Sequence, residues 1–83
     1  MVIEENWAIS VDRFREFLRS QPDVAETDGI FLFGDCRITL EPISGTLLGR
    51  WELPRTQLRI EGPEEELNII HRRIFLRFLS AGG

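Results

Sequence analysis

The chain has 83 residues, 42% of them hydrophobic, with two Trp and six Phe. That is enough apolar material for one domain, residues 1–83, around one core, and too little to enclose a large cofactor. A formal charge of −4 opposes general affinity for nucleic acid or anionic membrane, and Cys36 as the single cysteine excludes an intramolecular disulfide, a zinc ribbon and a Cys-x-x-Cys redox pair.

At the amino terminus, Met1 to Glu5 lacks the basic patch and apolar run of a secretory signal. No apolar stretch approaches the roughly 20 residues that cross a bilayer, so the expected setting is soluble and cytoplasmic. A first helix is expected from Ser10, whose hydroxyl suits an N-cap, with Asp12 favourably placed for the helix dipole. Ile9 and Phe14 occupy the positions of a hydrophobic staple. Val11, Phe14, Phe17 and Leu18 form the stripe to be buried, and Pro22 bars further helix. Trp7 lies just upstream, placed to fold back over the core edge.

Asp23 to Gly29 reads as an acidic loop. Its carboxylates Asp23, Glu26 and Asp28 do not fit a calcium-binding loop: with Gly29 set at the sixth position, Val24 falls where the first oxygen ligand belongs. From Ile30 to Glu61 apolar and polar residues alternate with period two, which describes an antiparallel sheet with one dry and one wet face. Breaks at Gly34-Asp35, at Pro42 to Gly45 and at Leu53-Pro54 divide it into strands Ile30–Phe33, Cys36–Glu41, Thr46–Leu53 and Arg55–Glu61. Cys36, Ile38 and Leu40 then share one face, as do Thr56, Leu58 and Ile60. On the wet face Arg37, Arg50, Arg55 and Arg59 alternate with Glu41, Glu52 and Glu61 across strands. All ten cations of the chain are Arg, and they lie scattered among acids rather than gathered into a phosphate-gripping patch.

Gly62-Pro63-Glu64-Glu65-Glu66 starts a second helix, with proline in the first turn and acids at the positive end of the dipole. This helix is expected to reach about Ser80 and to end at Gly82-Gly83. Leu67, Ile70, Ile74 and Phe78 make its central stripe, whereas Ile69 and Leu76 point almost the opposite way. The fold expected is an α+β two-layer sandwich: an antiparallel β-meander of three to four strands, flanked in sequence by an N-terminal and a C-terminal helix (α-β-β-β-β-α).

Function is carried by weaker signals. Ile69 and Leu76 on the second helix, together with Phe31 and Phe33 on a strand apolar on both faces, exceed what one sheet can cover. Rimmed by Arg72, Arg73 and Arg77, they point to a non-enzymatic protein-interaction or accessory module, working as a homodimer or on a larger protein partner, with no cofactor, metal, nucleic acid or membrane. One alternative is a small-molecule-binding or catalytic domain using His71, Cys36 and Trp51, since His71 is the only histidine and a Cys-His pair is one route to an activated nucleophile. Glu64, Glu65 and Glu66 point 100° apart in turn and so cannot converge on one metal ion.

Two resemblances bear on this. The helix–strands–helix order resembles that of double-stranded RNA-binding domains, whose second helix begins with basic residues. Glu64, Glu65 and Glu66 reverse that charge here, which disfavours RNA. Gly82-Gly83 resembles the double glycine that ends ubiquitin-like carriers, which implies a second alternative, a carrier activated at Gly83. Here the pair follows a helix rather than a strand.

Overall fold

The computed structural model describes the backbone of residues 1–48 and 51–82, and side chains over residues 1–43 and 54–79. The elements in chain order are β1 (Val2–Trp7), α1 (Val11–Arg19), β2 (Ala25–Thr27), β3 (Ile30–Phe33), β4 (Cys36–Leu48), β5 (Trp51–Glu61) and α2 (Glu64–Gly82). The strands form one antiparallel sheet in the order β1-β5-β4-β3-β2. Both helices lie on one face of it, and the expected α+β two-layer sandwich is the architecture observed.

The helices form where local chemistry places them. Ser10 caps α1, its hydroxyl accepting a hydrogen bond from the Arg13 amide at 3.3 Å, and Phe14 and Leu18 are fully buried. In α2 the stripe Leu67, Ile70, Ile74 and Phe78 is sealed against the sheet, where it meets Phe31, Ile38, Leu58 and Ile60. Trp7 closes one end of this core, edge-on to Phe14 at 5.9 Å and to Phe75 at 6.2 Å. Thr56 is the buried polar residue of the core, and its hydroxyl donates to the Ile9 carbonyl at 2.6 Å, tying the entry of α1 to β5.

The sheet is larger than the periodicity suggests. β1 pairs along the outer side of β5, with Ile3 opposite Ile60 and Glu5 opposite Leu58. Its alternation is masked in the sequence because Glu5 takes an inward position between Ile3 and Trp7. At the other edge β2 occupies the stretch read as an acidic loop, joined to β3 by Asp28-Gly29 with φ of 52° and 79°. Positive φ at both turn positions is what a tight type I′ hairpin requires.

The second difference concerns the long strands. Pro42 to Gly45 and Leu53-Pro54 are not turns; β4 and β5 run through both as one ribbon. The register passes from Ile43↔Arg55 to Thr46↔Leu53, so Ser44 and Gly45 stand opposite Pro54 alone, the arrangement of a β-bulge. Here β4 has outrun β3, which pairs only as far as Ile38, and β5 has not yet met β1, which begins pairing at Thr56. Each proline therefore sits where its strand has a neighbour on one side only, the setting in which a missing N–H is tolerated. The ribbon pairs as far as Leu48↔Trp51; Arg50 of the expected wet-face ladder lies outside the described residues.

Two glycines fix how β3, β4 and α2 meet. Gly34 opens the β3–β4 turn with a φ of 57°, and a Cβ there would overlap the Glu66 carboxylate. Gly62 links β5 to α2 with a φ of 151°, and a Cβ there would lie 2.8 Å from both the Cα and the Sγ of Cys36. Gly29 also has a positive φ but faces open space. Alanine substitution should therefore destabilise in the order Gly62, Gly34, Gly29: at Gly29 only the left-handed backbone cost of about 1–2 kcal/mol applies, while at Gly62 a backbone clash is added. Urea unfolding of the three variants tests that order, and equal losses would refute the role assigned to the close approach.

Candidate interaction surface

On α2, positions 67, 70, 74 and 78 face the sheet, so at 100° per residue the residues half a turn away face solvent. Ile69 is 46% exposed, Leu76 53% and Leu79 56%. They share one side of the helix with Glu65 and Arg72, both also exposed. Three large apolar side chains on one outward face of one helix differ from the isolated apolar residues scattered over most protein surfaces.

Of the residues expected to form this surface, Ile69, Leu76, Arg72 and Arg77 are exposed. Phe31 and Phe33 are not part of it. At 1% and 9% exposure they belong to the core, because alternation on β3 turns both toward the helices and leaves Leu32 to face out. The apolar look of that strand on both faces comes from Leu32 and Ile30, which border the open side of the sheet. Arg73 is committed within the fold: its Nη1 donates to Asp23 Oδ1 at 2.8 Å, and its guanidinium lies 5.1 Å from the centre of the Phe33 ring.

The residues of the catalytic alternative are not brought together. The Cys36 thiol is buried and lies 3.8 Å from the Pro63 carbonyl. His71 is eight residues further along, about 12 Å of helix rise, and its Nε2 is 2.8 Å from Glu5 Oε1. The same Glu5 oxygen accepts from the Trp7 indole at 3.2 Å, so His71 joins α2 to β1. Burial first, and then the carboxylates of Glu66 and Asp35, push the Cys36 thiol up, the reverse of what a thiolate nucleophile needs. The side chain of Trp51, at the start of β5, lies outside the described residues. Neither His71 nor Cys36 lines the shallow clefts on the open face of the sheet, between α1 and α2, beside Met1 and Gly62, or at the β2–β3 turn.

The open face of the sheet is a second surface. A hollow of about 280 Å³ there is bordered by Glu4, Arg37, Thr39, Glu41, Gln57, Arg59 and Glu61. Most of its charges are paired: Arg37 with Glu61 at 3.8 Å, and Arg59 with Glu61 at 3.3 Å and Glu4 at 3.6 Å, while Glu41 makes no ion pair among the described residues. Of the expected alternation, Arg37, Arg59 and Glu61 form such pairs, with Glu4 of β1 added, whereas Arg55 and Glu41 make no ion pair among the described residues and the side chains of Arg50 and Glu52 lie outside them. Cross-strand pairs of this kind are the ordinary means of solvating a sheet face.

No family model, curated protein or solved structure matches this chain. Its surface chemistry is therefore read from its own residues. Among those described, no three His, Cys, Asp or Glu side chains converge as metal ligands, and no helix is long and apolar enough to cross a membrane.

Two measurements follow. Asp23 and Glu26 are held below the usual carboxylate range by hydrogen bonds from Arg73 and Arg19. A lowered folded-state pKa stabilises above the unfolded value, near pH 4, and that contribution is lost as pH falls through the folded value. The D23N/E26Q variant should therefore be less stable than the parent at pH 6 and indistinguishable from it at pH 2, as read by urea unfolding. A constant difference across that range would refute the pairing. Cys36 should react slowly with iodoacetamide at pH 8 in the folded chain and rapidly in urea; equal rates would place the thiol at the surface.

Proposed function

We propose that this protein is a non-enzymatic interaction module that docks a helix of a second polypeptide on the outward face of α2. The observation that supports this reading is the exposure of Ile69, Leu76 and Leu79 on one side of a helix whose opposite side is buried at every core position. Covering a side chain of that size stabilises a complex by about 1.5–3 kcal/mol at most, so three of them side by side are a substantial part of a binding surface. Arg72, set between Ile69 and Leu76, and Arg77, at the edge of the row, supply charge that selects among partners rather than driving association.

The carrier reading does not fit the helix end. Such carriers present their double glycine on an extended tail, whereas α2 continues through Gly82; Gly83 lies outside the described residues. The ligand-binding reading is less favoured because the Nε2 of His71 is already engaged by Glu5 and the Cys36 thiol is buried away from it.

The test is native mass spectrometry of the protein purified gently from its own host, with the parent and Leu76→Asp compared. A complex of defined stoichiometry containing a second polypeptide is expected for the parent and not for the variant. Because Leu76 is half exposed, the substitution should cost the isolated fold less than about 1 kcal/mol, which thermal unfolding checks. An unchanged complex in the variant would remove α2 from the interface.

A further inference from the structure

The outward side of α2 carries a spacing that identifies the shape of its partner, an inference that rests on the reading of α2 as a docking helix. Glu65, Ile69, Arg72, Leu76 and Leu79 follow one another at intervals of four, three, four and three residues. That is the a/d spacing of a heptad repeat, which keeps side chains facing a second helix laid along the first. The core residues Leu67, Ile70, Ile74 and Phe78 fall at other heptad positions, so α2 bears two apolar seams, one sealed by the sheet and one open to water. The open seam runs about 21 Å, four helical turns.

Charge identifies the chemistry of that partner. Arg72 sits in the middle of the open seam, one step from Ile69 and one from Leu76. Ion pairs among the described residues engage Arg15, Arg19, Arg37, Arg59 and Arg73, and Arg72 has no acidic partner there. A helix laid on the seam strips water from this guanidinium, which is costly unless the incoming helix brings a carboxylate to it.

A second copy of this chain does so poorly. Parallel alignment faces Arg72 with Arg72, and the antiparallel alignment that covers Ile69, Leu76 and Leu79 together sets Arg72 against Leu76. We infer that α2 binds an amphipathic helix of another protein, apolar at its a and d positions and carrying Asp or Glu at the level of Arg72.

Two synthetic 21-residue helical peptides, with Leu at a and d and differing only in Glu or Lys at the one position facing Arg72, are titrated into the full chain by fluorescence anisotropy. Such a register-specifying position is the recognised use of a lone polar residue in a seam. The Glu peptide should bind at least about tenfold more tightly, a difference of 1.4 kcal/mol. Arg72→Glu should reverse the order, and Leu76→Asp should weaken both peptides. Equal binding of the two peptides by the parent overturns the acidic partner and leaves α2 as a docking helix. So does a parent homodimer that Leu76→Asp dissociates. Failure of both peptides to bind a monomeric parent overturns the docking helix itself.

Discussion

The structure depends on the close approach of Gly62 to Cys36. At this point β5 ends and the chain doubles back to lay α2 over the sheet, and a Cβ at Gly62 would meet the Cys36 backbone and sulfur at 2.8 Å. Only glycine brings the two backbones this near at a φ of 151°. The junction is held from the other side as well: the Gly62 amide donates to the Met1 carbonyl at 3.0 Å, and the Met1 amino group donates to the Gly62 carbonyl at 3.1 Å. One turn into α2, Glu66 accepts a hydrogen bond from the Asp35 amide at 2.8 Å, clamping the β3–β4 turn to the helix. Three segments distant in sequence thus meet at the start of α2.

With its start fixed, α2 has little freedom to rotate. Leu67, Ile70, Ile74 and Phe78 hold it to the sheet, His71 ties one flank to Glu5 of β1, and Arg73 ties the other to Asp23 before β2. The acids and bases of these two ties are partly exposed, so each contributes orientation more than stability. Ile69, Arg72, Leu76 and Leu79 are what such a helix leaves outward. A helix pinned along both flanks holds its outward side chains in a fixed arrangement, and a pre-ordered surface of this kind carries a lower entropic cost for any contact made on it.

The same packing accounts for the residues with no role at the surface. Cys36 is a small apolar group beneath the α2 start, as lone buried cysteines commonly are. Phe31 and Phe33 belong with it under the helices, and Arg73 covers Phe33 from the solvent side. On the charged open face of the sheet Arg37 and Arg59 pair with Glu61 and Glu4, which keeps that face solvated.

Much of this fold is legible in the residues alone, because helix caps, buried stripes and hairpin glycines act over a few positions. Ser10 with Phe14 and Leu18, Pro63 with the Leu67 to Phe78 stripe, Gly34-Asp35, and the alternation at Cys36 to Leu40 and Thr56 to Ile60 all take the local form their chemistry dictates. The outward position of Ile69 and Leu76 follows from the same helical period. Asp28-Gly29 is a local hairpin signal too, but the acids that precede it, Asp23 and Glu26, have the composition of a solvated loop. What pairing over long distance decides is different in kind. β1 is a strand because it pairs with β5 from Val2↔Glu61 to Trp7↔Thr56, with its inward Glu5 met by His71, 66 residues away, and Ser44, Gly45 and Pro54 form a bulge rather than turns because each strand finds its partner across it. Phe31 and Phe33 are core and Arg73 is a tie for the same reason. Periodicity tells which side of an element is apolar, and only the tertiary structure decides whether the rest of the chain covers it, because that depends on partners distant in sequence.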